Sequence, residues 1–326
     1  MINGWNGWRQ EASQMHKVCV YAGEELARYS FGDDHPFGPL RYGAFYVEFL
    51  RRGLDKKTVS CQPVIADQQA IERFHEHDYV EQVRAQSASG TGFLDYGDTP
   101  AFPGVYEAAA TVVGSTLAAL DGVMTGQCRR AFVPIAGLHH ARRDRAAGFC
   151  VFNDCGIAIE TLLQQYSLQR IAYVDIDAHH GDGVLYGFND NPAVFIIDVH
   201  EDGRTLYPGT GSTSEAGIGE AVGTKLNIPM PVGADDARLA AVWQQAEDFL
   251  RNARPEIILL QCGADSLDGD PITHMAYTEQ AHAMITRRLC LIADEYCQGR
   301  LLAMGGGGYH LANLARAWCA VVEELV

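Results

Sequence analysis

The chain predicts an α/β fold with a central parallel β-sheet and helices on both faces. Three observations carry that reading. Short, continuously apolar runs recur along the 326 residues and do not alternate with polar ones, as expected of strands buried on both faces. Longer stretches with helical apolar spacing separate them, and repeated strand–helix–strand units are the pattern of a parallel sheet. Polar and glycine-rich segments follow directly after the apolar runs, where ligands collect in open parallel sheets. No linker, low-complexity tract or internal repeat breaks the series, so 1–326 reads as one domain with 1–16 as a flexible or docking segment.

In chain order, the apolar run Val18–Tyr21 is the first strand and the amphipathic stretch Leu40–Arg52 the first helix. Gly90–Gly104, rich in Gly, Thr, Pro and Asp, reads as a loop before the helix Gly104–Leu120. Then come strand Ala131–Ile135, helix Asp154–Gln165, and the strands Arg170–Ile176 and Ala193–Val199. Gly203–Gly223 carries six glycines and Pro208 and reads as a long loop. Helix Asp235–Asn252, strand Glu256–Gln261, helix Tyr277–Tyr296 and strand Arg300–Met304 lead to the glycine run Gly305–Gly308 and the helix Leu311–Leu325.

Composition narrows the function classes. Hydrophobic residues at 47% and charged residues at 20% exclude a disordered chain and a coiled coil. Twenty-five Lys and Arg against 41 Asp and Glu give a net charge of −16, a field that repels phosphate backbones and anionic lipid and favours cationic ligands. Nucleic acid and membranes are therefore not expected as partners. The nine cysteines are scattered, with no C-x-x-C pair, as in a reducing compartment. Met1–Lys17 has no apolar leader core and no apolar run approaches the ~20 residues of a membrane span, so a cytoplasmic protein is expected. Nothing specifies an oligomeric state.

The chemistry concentrates after strand Arg170–Ile176, in Asp175-Ile176-Asp177-Ala178-His179-His180-Gly181-Asp182. Buried Asp and His need partners or a metal. Asp177 and His179, two apart, can reach one ion together, and Asp265 adds a carboxylate at another strand end. Three N/O ligands with a position left for water is the layout of a catalytic metal site. A plain hydrogen-bonded network at the strand ends is the alternative. His139-His140 follow a third strand, and the spare carboxylates Asp175 and Asp182 could fix their tautomers for general acid/base work. Gly305 through Gly308 let the backbone approach closely and deliver Tyr309, a donor for a developing oxyanion. These residues alone read as a metal-assisted hydrolase acting on a carbonyl, an amide or an ester.

Pro134 through Ala141, Gly148 through Asp154, Asp175 through Gly183, Tyr207 through Gly211, Gly263 through Asp265 and Gly305 through Tyr309 together resemble the histone deacetylase superfamily. Its bacterial acetoin-utilisation and amidohydrolase branch is the nearest, in order from about His35 to Trp318. The resemblance implies the arginase/deacetylase fold and hydrolysis of an N-acyl amine, usually acetyl-lysine in a peptide or protein. It implies Zn2+, with Fe2+ also acceptable, on Asp177, His179 and Asp265, and a structural K+ or Na+ at Asp175, Asp177, His179 and Asp198. His140 matches the general base, His139 its neighbour in the proton relay, and Asp175 and Asp182 the carboxylates behind them. Tyr309 matches the carbonyl-polarising tyrosine. Gly148, Phe149, Tyr207, Gly307 and the rim residue Asp98 match the substrate site, and Arg41 the acetate channel.

Two positions depart from the family pattern: Tyr207, where Phe is common, and His310, where Asn is common. A binuclear manganese ureohydrolase of the same fold is disfavoured by Gly181, which stands where such sites carry a further Asp. Acetylpolyamine hydrolysis is the competing activity, set back by the lack of a long inserted loop. A non-catalytic binding module would have lost a ligand, the base or the tyrosine, and all are present. His75 and His77 are read as a capped, solvated helix start, Cys150 as a buried apolar group, and Trp5 and Trp8 as an exposed aromatic pair or docking element.

Overall fold

The computed structural model describes residues 18–326. The segment 1–16, with Trp5 and Trp8, lies outside the described residues. Eight strands form one sheet: β1 Val18–Tyr21, β2 Val59–Cys61, β3 Arg130–Val133, β4 Ile171–Asp175, β5 Val194–Glu201, β6 Lys225–Met230, β7 Ile257–Gln261 and β8 Leu301–Met304. Their order is β2-β1-β3-β8-β7-β4-β5-β6, and every pair is parallel. The central strands β3, β4, β7 and β8 are buried at every position, which is why their sequences are apolar apart from the terminal residues Arg130, Asp175 and Gln261. The deacetylase-type α/β fold expected from the sequence is the one observed.

Nine α-helices connect the strands among the described residues: α1 Leu40–Arg51, α2 Gln68–Ile71, α3 His77–Ser89, α4 Val105–Met124, α5 Asp154–Gln164, α6 Asp182–Gly187, α7 Asp236–Ala253, α8 Glu279–Tyr296 and α9 Leu311–Leu325. Several start on side-chain caps. Asn153 accepts from Gly156 N, Asp235 from Arg238 N, and Thr278 from Gln280 N. His310 serves in the same way: its Nδ1 accepts from Asn313 N and caps α9. On α9, Trp318 is fully buried against Phe45 and Phe132, and its indole N–H donates to the Gly305 carbonyl at 2.8 Å. Its truncation to Ala would cost about 3–5 kcal/mol and free the glycine run from its backing.

Two strands escape the sequence reading. β2 has three residues and is mostly exposed at one edge. β6 forms the other edge and carries Lys225, Asn227 and Pro229, which mask its pattern; proline is tolerated on an edge strand. The helices α2, α3 and α6 also lie beyond the expected set, with α3 starting at His77, where the sequence predicts a helix start.

Candidate active site

β3, β8, β7 and β4 are neighbours in the sheet, so residues far apart in sequence leave it side by side at the carboxyl ends. β4 leads to Asp175–Asp182, β7 to Asp265, β8 to Tyr309 and β3 to His139 and His140.

Asp177, His179 and Asp265 are buried, and each offers a ligand atom within 4.8 Å of the others. His179 Nδ1 stands 3.1 Å from both Asp177 Oδ1 and Asp265 Oδ2. The remaining oxygens are already held. Asp177 Oδ2 accepts from Gln261 Nε2 and Gly307 N, both at 2.9 Å, and Asp265 Oδ1 from Ala178 N at 2.9 Å. Asp177 Oδ1, which also accepts from His179 N at 3.0 Å, gathers with Asp265 Oδ2 and His179 Nδ1 around a common point. Burial and the Asp177 charge lift the Asp265 carboxyl to about 7. Burial alone would lower His179, but hydrogen bonds to the two carboxylates hold it up at about 10. A cation at the common point relieves this crowding of negative charge, and the mixed O/N donor set fits a zinc-type ion. Gly307 is glycine for a steric reason: a Cβ there would strike Asp265 Oδ2 and lie 2.8 Å from Asp177 Oδ2.

Beside this triad, His139 Nδ1 bonds Asp175 Oδ2 and His140 Nδ1 bonds Asp182 Oδ1, each at 2.8 Å. The Tyr173 hydroxyl also donates to Asp175 Oδ2, at 2.6 Å, and Arg142 Nη2 donates to Asp182 Oδ2 at 2.7 Å. Burial would lower His139, yet the Asp175 and Asp177 carboxylates outweigh it and raise it to about 10. Burial and the charge on His139 push His140 down to about 4. The loop that carries the pair is fixed from α5. Asp154 accepts from Gly137 N and Leu138 N, and Asn153 Nδ2 donates to the carbonyls of His139 and Ala141.

Tyr309 shares a tight chamber of about 20 Å³ with His139, His140, Asp177 and His179. Burial, with Asp265 nearby, holds its phenol well above the usual range, so it stays a donor. Asp270 Oδ2 accepts from Tyr309 N at 2.8 Å and His310 N at 3.3 Å. Arg41 is buried behind the glycine run. Its Nε donates to Gly308 O and one Nη to Gly306 O, its guanidinium lies 3.9 Å over the Phe37 ring, and its second Nη has no protein partner.

Phe149 and Tyr207 flank the chamber. Phe149 is edge-on to Tyr309, with centroids 5.8 Å apart, and to His35 at 4.5 Å. Its φ of 65° turns the ring inward, and the Tyr29 hydroxyl holds its carbonyl at 2.7 Å. Tyr207 lies edge-on to His140 at 5.2 Å and is half exposed. Gly148 lies against His140: a Cβ there would come within 2.6 Å of its ring. At the rim His35 Nε2 bonds the Asp98 carbonyl, and burial together with the Asp95 carboxylate lifts the Asp98 carboxyl to about 7.

The structure thus brings Asp177, His179, Asp265, His139, His140, Asp175, Asp182, Gly307 and Tyr309 together, with Gly148, Phe149 and Tyr207 in contact with this group and Asp98 sharing a cavity with Tyr207. Asp198 is set further back. It lies opposite Asp175 across the sheet, with its carboxylate accepting from Gly181 N and bonded to His200 Nδ1 at 2.6 Å. Gln261, Asp154 and Asp270 escaped the sequence reading; the only signal was their place next to blocks already singled out. One reading is corrected. His75 is not solvated but buried, accepting from Asn153 N at 2.8 Å, and only His77 is exposed, paired with Glu72.

One parallel sheet thus joins two histidine–carboxylate pairs to an Asp/His/Asp triad. Residues 35–325 match the histone deacetylase domain model, and the chain belongs to that family. It is 38% identical over 322 residues to the acetoin utilization protein AcuC of Bacillus subtilis, covering 94% of this chain and 81% of that protein. It is 33% identical to AcuC of Staphylococcus xylosus, over 94% of this chain and 82% of the other. The crystal structure of the HDA15 HD domain superposes with a TM-score of 0.88 at 24% identity, over 95% of this chain and 88% of that one, a likeness of fold. Among the described residues no helix is long and apolar enough to cross a membrane.

Proposed function

We propose that the chain is a zinc-dependent deacylase that removes acetyl or another short acyl group from acyl-lysine or a similar linear N-acyl amine. One observation carries this reading: the two histidine–carboxylate pairs, Tyr309 and the Asp177/His179/Asp265 triad gather around one chamber, with the rings of Phe149 and Tyr207 edge-on to Tyr309 and His140. An ion held by Asp177, His179 and Asp265, zinc or ferrous iron, would supply a Lewis acid for the acyl carbonyl. A structural K+ or Na+ at Asp175, Asp177, His179 and Asp198 belongs to the same reading.

The chain's own residues account for the proton traffic. His140, kept neutral with its Nδ1–H on Asp182, takes a proton from water as the water oxygen bonds to the acyl carbon. Tyr309 donates to the acyl oxygen as charge builds there. The C–N bond then breaks, the histidine pair returns a proton to the departing amine, and the acyl group leaves as a carboxylate. The unpartnered Nη of Arg41 supports an exit for that anion behind Tyr309.

The test is turnover of acetyl-lysine peptides, acetylputrescine and acetylspermidine by protein as prepared, after chelation, and after restoring Zn2+ or Fe2+. Chelator-sensitive release of acetate from the peptides, recovered with metal, is the expected result. Cleavage of acetylpolyamines alone would replace the substrate class. Turnover of the peptides indifferent to chelation and metal would remove the metal from the reading.

A further inference from the structure

The rim holds a feature that none of the matched motifs explains. A cavity of about 450 Å³ opens beside Tyr207, with Asp95 and Asp98 on its lining and Arg142 and Arg145 facing the same space. Arg142 and Arg145 are partners in an antiparallel bridge, with Arg142 N donating to Arg145 O at 2.9 Å. Residues directly opposite in such a pair project their side chains to the same side, and like charges so placed repel. Their counter-charges are thin. Asp182 serves Arg142 with one oxygen but His140 with the other. Arg145 pairs only with its exposed neighbour Asp144, in contact with water on both sides, a kind of pair worth little. In a chain with 25 basic and 41 acidic residues, this cavity sets two arginines on one turn, each paired with a single carboxylate, in the same space as Asp95 and Asp98.

We propose that the Arg142/Arg145 wall binds a carboxylate carried by the substrate on the amine side of the scissile amide. The inference rests on the deacylase reading above. With the acyl amide in the chamber, the lysine methylene stem fills the passage between Phe149 and Tyr207, and the α-carbon emerges at the rim. Groups borne by that carbon then fall between Asp98 and the two arginines. A carboxylate there has two sources, the α-carboxylate of a free or C-terminal acyl-lysine, or an acidic side chain next to it in a peptide. A planar carboxylate matches the guanidinium fork of Arg145, which Asp144 engages through a single nitrogen. Acetylpolyamines, cationic at the same distance from the amide, are disfavoured by the same wall.

The experiment compares kcat/KM within matched pairs, in the wild type and in Arg145→Ala and Arg145→Glu. One pair is Nε-acetyl-lysine with a free α-carboxylate against its α-amide. The other is capped peptides with Glu or Lys directly after acetyl-lysine. Wild type is expected to favour the carboxylate-bearing member of at least one pair by about fivefold, and which pair responds identifies the source. The ratio should fall close to one in Arg145→Ala and reverse toward the Lys peptide in Arg145→Glu. Ratios near one in the wild type, or a preference that survives Arg145→Glu, overturn the proposal while leaving the deacylase reading standing. Absence of turnover on every acetyl-lysine compound would instead overturn that reading, and the carboxylate wall with it.

Discussion

The Nε2 atoms of His139 and His140 face each other at 3.1 Å, while each ring turns its Nδ1 to its own carboxylate. An ionised carboxylate makes each Nδ1 a donor, so the two Nε2 atoms have room for one proton between them. His139, raised to about 10, keeps it; His140, lowered to about 4, is left with a lone pair. Two chemically identical side chains are thereby driven to opposite protonation states by their surroundings.

His140→Gln is expected to lower kcat by about 10²–10⁴-fold, the usual size of a general-base contribution, with metal content unchanged. Steady-state turnover together with elemental analysis checks this. Activity within a few-fold of wild type would take His140 out of the proton transfer.

Tyr309→Phe removes one donor to the acyl oxygen and should lower kcat by about 10²–10³-fold, with metal still bound. A drop confined to KM would mean that the phenol only positions substrate.

Asp270 acts on Tyr309 through the backbone. Asp270→Ala should lower kcat about tenfold and leave KM close to wild type, whereas in a Tyr309→Phe background it should cost little more. Additive losses in that double-mutant cycle would show that Asp270 supports the fold at large and not the tyrosine.

Gly307→Ala places a methyl group against both ligand carboxylates. Metal affinity should fall at least tenfold, read by equilibrium dialysis, while the far-UV spectrum is retained. Full metal binding would show that the glycine run yields where the structure leaves it no space.

His75 carries a pH dependence of stability. Burial pushes it down to about 3, below the ~6.5 of an unfolded histidine. The folded state therefore refuses a proton that the unfolded chain accepts, so stability is full above pH 6.5 and declines as pH falls from 6.5 toward 3. By pH 5 the loss is about 2 kcal/mol. Denaturant melts at pH 7 and 5 should show a loss smaller by that amount in His75→Gln, and equal losses in both proteins would sink the assignment.

The sequence made the central strands legible because both of their faces are buried, and the Asp177/His179/Asp265 group legible because Asp and His at strand ends have few other uses. The edges β2 and β6 hid because one side of each lacks a neighbour, which loosens the demand for apolar residues. Gln261, Asp154 and Asp270 hid because they act on backbone groups or on residues remote in sequence, which leaves no local pattern. His75 misled for the opposite reason. Its neighbours Glu76, His77 and Asp78 are exposed, and its own partner lies 78 residues away.

The placement of β8 has a consequence for biosynthesis. It enters the middle of the sheet, between β3 and β7, although it is the last strand in sequence. Until residues 301–309 leave the ribosome the two halves of the sheet have no seam, and neither Gly307 nor Tyr309 can reach the strand ends that await them. A nascent chain stalled before that point would carry its ligand and base residues but no competent hydrolase. Activity would then switch on in a single late event as the seam closes.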